Sequence, residues 1–310
     1  MHKKYNTIVD GVWPTMLTPY TADSKVDYKA LEELIVWYKK KGVDGLFAVC
    51  QSSEMFLLSL EERVEIARFV KEKVGEKYPV IASGHVSDSI EDQIKEIKAI
   101  SATGIDAFVI VSNRFAEQEE SDDVWKANAK KVLNEVPDIP FGIYECPHPY
   151  KRLISPDLLK WCADTGRFFF LKDTCCNLDQ LKAKMEAVRG SQLKIFNANS
   201  ATLLDSMKFG ISGFSGVMAN FHPEVYVAIT REWKSNSEKV QILSDYAGFS
   251  SLAELQYYPV NAKYFLQLEG LNIGLHSRSK GLDAFTGDKR LQIEQFYRLN
   301  KLIVSKYIDE

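Results

Sequence analysis

Lys172 follows directly on the run Phe168-Phe169-Phe170-Leu171. Four large apolar residues in succession read as a strand buried on both faces, the kind found in parallel sheets. An ammonium at the carboxyl end of such a strand is partly taken out of water. Desolvation disfavours the charged form and can lower a lysine pKa by several units, which leaves a free amine, a nucleophile. The plainer reading is that Lys172 marks where the strand meets solvent. Tyr144 ends a second apolar run, Pro140 to Tyr144. An amine beside a phenol suits imine chemistry: the amine attacks a ketone, the carbinolamine loses water, and the cationic imine accepts electrons from a breaking carbon–carbon bond. The phenol can relay protons, a task worth about 10²–10⁴-fold. A core tyrosine with a satisfied hydroxyl is the plainer alternative.

Whether the two side chains can meet depends on the elements around them. Strands are expected at 11–17, 45–49, 79–82, 107–111, 140–144, 168–172, 193–196 and from 213. Helices are expected between them, with Asp27 offering an N-cap, Ser59 and Glu62 a capping box, and Ser155-Pro156 an N-cap followed by proline at the first helical position. Gly42, Gly104 and Gly210 each join a helix to the next strand, where glycine can take the left-handed conformation. Eight strand–helix units by about residue 235 average just under about 30 residues each, the period of a (β/α)8 TIM barrel. An open doubly wound sheet is the competitor, but no glycine-rich dinucleotide loop is present. The expectation is an α/β chain with residues 1–235 as the barrel carrying the active site. Residues 236–310 lose the alternation and read as a C-terminal helical extension, with apolar stripes near 243–246, 260–268 and 288–307.

Composition narrows the class. The 310 residues are 45% hydrophobic and 26% charged with net charge −3, which suits a globular core and offers no basic face for nucleic acid. No apolar run approaches the roughly 18 residues needed to span a bilayer. The first ten residues lack the apolar stretch of a secretory signal, and five cysteines without framework spacing read as reduced thiols, so a cytoplasmic enzyme is expected.

A barrel of this kind carries its chemistry at the carboxyl ends of the strands. Those ends hold Gln51 to Glu54, His85, Asn113-Arg114, Tyr144-Glu145-Cys146, Lys172-Asp173-Thr174, Asn197 to Asn199 and Ser215. Lys172 and Tyr144 end neighbouring strands, so their side chains can converge on the barrel axis.

At these residues the chain resembles the pyruvate-dependent class I aldolases, the family of dihydrodipicolinate synthase and N-acetylneuraminate lyase. The resemblance runs nearly the whole length. It rests on Gly11-Val-Trp-Pro-Thr-Met-Leu-Thr-Pro-Tyr20, Cys50 to Glu54 with Leu60-Glu-Glu-Arg63, Tyr144-Glu-Cys-Pro147, Leu171-Lys-Asp-Thr174 and Gly213-Phe-Ser-Gly-Val-Met-Ala-Asn220. It implies Lys172 as the Schiff-base lysine, Tyr144 as proton shuttle, Gln51 and Ser52 as holders of the pyruvate carboxylate, and the backbone at Ser215 lining the same pocket. A homotetramer is common in the family, and no dissociable cofactor or metal is implied because the imine is the electron sink.

Departures bear on the substrate. Gln51 stands where the family has a hydroxyl that joins the proton relay. Arg114 and Phe115 stand where the synthases have a tyrosine. The arginine that receives the aldehyde's carboxylate in such synthases is replaced by His148-Pro149-Tyr150, which argues against a true dihydrodipicolinate synthase. Thr174 is similar to the lyase branch, yet Asn199-Ser200 replaces the acidic pair that reads sugar hydroxyls there. The expected function is therefore a Schiff-base-forming lyase acting on pyruvate, or a 2-keto acid that releases it, with an unnamed aldehyde. Dehydration of a 2-keto-3-deoxy sugar acid through the same imine, and a degenerate paralogue that binds a keto acid without turnover, are the alternatives.

Other sites are weaker. The histidines His2, His85, His148, His222 and His276 show no metal-binding spacing, though His85 and His148 are expected at the barrel mouth. Cys175-Cys176 read as small apolar filler. The turn from Gly210 to Gly216 is a candidate phosphate cradle of the kind many barrels hold near the eighth strand.

Overall fold

The apolar runs become short parallel strands: β1 (Gly11–Val12), β2 (Leu46–Phe47), β3 (Val80–Ala82), β4 (Ala107–Val111), β5 (Phe141–Tyr144), β6 (Phe168–Asp173), β7 (Lys194–Asn197) and β8 (Gly213–Phe214). They lie in the order β1-β8-β7-β6-β5-β4-β3-β2. The computed structural model describes residues 8–235 and 237–309. Most of the amino-terminal stretch, His2 included, and the expected junction at Asn236 lie outside the described residues.

The first strand is shorter than expected because Pro14 has no amide to give. Beyond Trp13 the chain leaves β8 and turns to β2. Met16 donates to Phe47 O at 3.0 Å, Phe47 to Pro14 O at 3.1 Å, and Asp44 to Val12 O at 2.9 Å. These bonds join the two ends of the sheet, so the eight strands curl into the expected barrel.

Eight helices alternate with the strands: α1 (Tyr28–Lys40), α2 (Leu60–Val74), α3 (Ile90–Ser101), α4 (Asp122–Glu135), α5 (Pro156–Asp164), α6 (Leu178–Ala187), α7 (Leu203–Lys208) and α8 (Pro223–Glu232). Asp27, Ser59, Ser89 and Ser155 cap their helices, each accepting from an amide three residues on. The capping box at Ser59 and Glu62 is closed in both directions. Gly42, Gly104 and Gly210 take φ of 81°, 88° and 111°, the conformation that lets each helix stop and the next strand begin. Past residue 236 come α9 (Glu238–Ser250), α10 (Glu254–Tyr257), α11 (Val260–Leu268) and α12 (Gly287–Tyr307), the helical extension that the apolar stripes predict.

Inside the barrel Trp13, Phe47, Phe170 and Phe196 form an aromatic plug. The Phe170 and Phe196 rings stack at 4.6 Å, and Trp13 meets both edge-on at 5.8 and 5.9 Å. Aromatic pairs of this geometry contribute about 0.5–1.5 kcal/mol beyond their buried area. The plug closes the barrel from below and gives the site a floor.

Candidate active site

Side chains alternate along a strand, so residues two apart share a face. In β6, Phe170 and Lys172 point into the barrel while Leu171 and Asp173 point out to the helices. In β5, Gly142 and Tyr144 face inward and Ile143 and Glu145 outward. Tyr144 pairs in register with Lys172 across the two strands. The lysine Nζ lies 4.3 Å from the centre of the Tyr144 ring, and Phe47 packs edge-on against that ring from the plug at 5.9 Å.

Lys172 is only 4% exposed. Burial lowers its pKa, opposed in part by Cys50, Cys146, Glu254 and Glu145. The amine therefore sheds its proton more readily than a surface lysine. Burial pushes the Tyr144 phenol well above its ordinary value, so it stays protonated and serves as a hydrogen-bond donor. Its hydroxyl donates to Gln51 Oε1 at 3.2 Å, and the Cys146 thiol donates to the same oxygen at 3.2 Å. With Oε1 so occupied, the Gln51 amide N–H groups face the pocket without a partner among the described residues. Beside it Ser52 is buried and donates to Thr15 Oγ1 at 3.0 Å.

Six of the expected residues line one pocket of about 970 Å³: Lys172 and Tyr144 with Gln51, Ser52, Thr174 and Asn199. Asn199 spends its Oδ1 on capping Thr202, and Thr174 donates its hydroxyl to Glu145 O at 2.8 Å. Ser215 lies elsewhere. It is fully buried, its amide donates to Asn197 O and its hydroxyl to Trp13 O, and it is not among the residues lining the pocket. His148 reaches the pocket wall and meets Phe56 edge-on at 4.9 Å. His85 does not: it is fully buried, bonded to Gln93 and to the Val111 amide, and burial lowers its pKa to about 3. A neutral core histidine results.

Arg114 points away from the pocket, to Val86 O, Ser87 O and Asp88. Cys175 packs against the core as expected, but Cys176 is exposed at the pocket's edge. Gly213 packs directly on its partner Gly11, where a Cβ would lie 1.9 Å from Gly11 O, so glycine is needed there for β8 to meet β1. Among the described residues no group of three or more His, Cys, Asp or Glu is placed to hold a metal ion.

Behind the strands the outward-facing Glu145 and Asp173 converge on Lys184 from α6, all three buried. Glu145 also accepts from the amides of Ile154 and Thr174 at 2.8 Å. Burial, then the neighbouring Asp173, raises the Glu145 pKa, while Lys184 opposes it. This cluster pins the ends of β5 and β6 together and thereby sets the spacing of Tyr144 and Lys172.

The far wall comes from the C-terminal segment, which sequence reasoning did not enlist. Glu254, Leu255, Tyr258, Arg278 and Lys280 line the pocket. Glu54 and Arg278 are among the residues that hold this segment on the barrel. Glu54, in a left-handed turn with φ of 61°, accepts from Ser277 Oγ at 2.9 Å and from the Ser279 amide at 2.7 Å. Arg278 forks onto Glu62 at 2.6 and 2.7 Å and stacks over Tyr20 at 4.8 Å. The signal for this wall was only the single acidic residue Glu254 ahead of Tyr258-Pro259, which no local pattern marks.

Comparison with known proteins agrees with this fold. Residues 8–296 match the Dihydrodipicolinate synthetase family. A 4-hydroxy-tetrahydrodipicolinate synthase of Clostridium novyi (strain NT) is 24% identical over 270 residues, 86% of this chain and 89% of that protein. In fold the chain is similar to YagE, a prophage protein of the dihydrodipicolinic acid synthase family from Escherichia coli K12 solved in complex with pyruvate. The TM-score is 0.84 at 22% identity, covering 94% of this chain and 99% of that one. It is also similar to CdNal from Clostridium difficile, solved in complex with mannosamine, with a TM-score of 0.84 at 19% identity, covering 95% and 100%.

Proposed function

Because the chain belongs to the Dihydrodipicolinate synthetase family, a family of lysine Schiff-base lyases and aldolases, we propose that it makes or cleaves a carbon–carbon bond through an imine between Lys172 and pyruvate. The observation that carries this reading is the register pairing of a buried lysine with a protonated phenol on the axis of a closed barrel. Neutral Lys172 attacks the C2 carbonyl. Tyr144 relays the proton from the attacking nitrogen to the carbinolamine oxygen, which leaves as water, and the phenol ends the step protonated as it began. The amide N–H groups of Gln51 receive the carboxylate beside Ser52, so the keto carbon sits over the amine. In the cleavage direction the C3–C4 pair flows into the cationic imine and an aldehyde leaves. Thr174 and Asn199 line the aldehyde side.

The aldehyde itself is read only coarsely. The arginine that would receive an anionic aldehyde is absent, and the nearest arginine in sequence, Arg152, is buried against Glu117 O, Glu120 O and Asp122. The protein works in the cytoplasm in this reading, as a homotetramer. The exposed apolar side chains Phe249, Leu252 and Leu255 offer a contact for a second copy, which sedimentation of the purified protein tests. No helix among the described residues is long and apolar enough to cross a membrane.

The test is borohydride reduction with pyruvate. A stable adduct is expected, mapped by mass spectrometry to Lys172 and lost in Lys172→Ala. An adduct on another lysine, or pyruvate binding with no adduct, overturns the reading.

A further inference from the structure

We propose that Glu254, a residue of the C-terminal segment, is the base that removes and returns the C3 proton of the pyruvate imine on Lys172. The assignment rests on the imine reading above and adds to it the group that makes the enamine, the species that bonds to the aldehyde.

Three observations carry it. First, the proton route through the barrel side stops at Gln51. Tyr144 donates to the Gln51 carbonyl oxygen, and an amide oxygen does not pass a proton onward as a hydroxyl would. The position after β4 holds Arg114, whose guanidinium is turned away to Val86, Ser87 and Asp88. Second, Glu254 lines the same pocket as Lys172. It lies close enough for the lysine's charge to favour its carboxylate. Third, its carboxylate makes no hydrogen bond or ion pair among the described residues, whereas the pocket's other carboxylate, Glu54, accepts from Ser277 and Ser279 and anchors the loop. Glu254 is thus the pocket carboxylate left free to exchange a proton.

The two proton-carrying groups also differ in kind. Burial holds the Tyr144 phenol well above its ordinary value, so it acts as a hydrogen-bond donor and its anion, the form that could take a C–H proton, is hard to form. Burial raises the Glu254 carboxyl from the ordinary glutamate value, and Lys172 opposes that rise. A carboxylate strengthened as a base in this way suits the acidic C–H next to an iminium carbon. In the step, the C3–H bond breaks and its proton goes to a Glu254 oxygen. The electron pair becomes the C2=C3 bond, and the iminium pair settles on the Lys172 nitrogen. After cleavage in the other direction the same proton returns to C3. No co-reactant is needed.

Pyruvate alone suffices as probe. In deuterated water, the unsubstituted protein exchanges the methyl protons of pyruvate, followed by proton NMR. Glu254→Gln keeps size and hydrogen bonding and loses the base. It is expected to slow exchange by about 10²–10⁴-fold while borohydride still traps pyruvate on Lys172, which also shows that the variant is folded. Glu254→Asp, which keeps a carboxylate on a shorter stem, is expected to recover part of the rate. Exchange at the unsubstituted rate in Glu254→Gln, with trapping intact, overturns this assignment alone. An unsubstituted protein that traps no pyruvate overturns the imine reading and this assignment with it. Equal loss in Glu254→Gln and Glu254→Asp together with lost trapping makes Glu254 a structural residue and also overturns it.

Discussion

Tyr144 and Lys172 are direct cross-strand partners, with the lysine nitrogen 4.3 Å from the centre of the phenol ring. Register fixes this closeness, so removing the hydroxyl leaves the lysine in place. Tyr144→Phe is expected to keep the pyruvate adduct and to lower turnover about 10²–10⁴-fold. Pyruvate release from a panel of 4-hydroxy-2-keto acids measures it, and unchanged turnover rejects Tyr144 as a proton relay.

Burial lowers the Lys172 pKa against the opposing pull of Cys50 and its neighbours. The nucleophile is the neutral amine, so adduct formation rises with pH and levels off before the ordinary lysine value of about 10.4. Between the lowered value and that ordinary one the unfolded chain holds a proton that the folded protein has lost. Stability from this group therefore rises with pH across that window. The rate of cyanoborohydride-trapped adduct against pH checks this. A rate still climbing at pH about 10.4 contradicts it.

Lys184 neutralises two buried carboxylates at once. Lys184→Met leaves Glu145 and Asp173 facing each other without a cation, and breaking a buried pair in this way costs about 3–5 kcal/mol. Glu145 has a raised pKa from burial and from Asp173. The folded state thus holds a proton above the ordinary glutamate value that the unfolded chain has released, and its contribution to stability falls as pH rises through that window. The variant's deficit should be larger at high pH than at low pH. Urea midpoints measured across pH read this out, and a deficit independent of pH contradicts it.

Arg278 ties the C-terminal wall to the barrel through Glu62, Ser24 O, Leu57 O and the Tyr20 ring. The pair is partly exposed, so Arg278→Ala is expected to cost only about 1–3 kcal/mol. Its local signature is earlier proteolytic cleavage within residues 270–286, together with a raised KM. Cleavage at an unaltered rate rejects the clamp.

The chain's own pattern determined the barrel, the caps at Asp27, Ser59 and Ser155, and the strand-end position of Lys172 and Tyr144. Each of these is local: an apolar run, a hydroxyl three residues from an amide, a charge where a run ends. Motif resemblance added Gln51, Ser52, Thr174 and Asn199. Tertiary structure decided the rest. His85 and Arg114 sit at strand ends like the site residues, yet one turns into the core and the other out to Asp88, because hydrogen-bond partners 26 residues away claim them. Lys184 and Glu254 carry no local mark of their roles. Lys184 is one of many helix lysines until β5 and β6 bring two carboxylates to it. Glu254 belongs to a segment about 80 residues past Lys172 that reads as plain amphipathic helix. Only closure of the barrel and docking of that segment over its mouth place a lone carboxylate opposite the amine. Local sequence encodes what a residue can do, while long-range packing and desolvation choose which residues are given the chance.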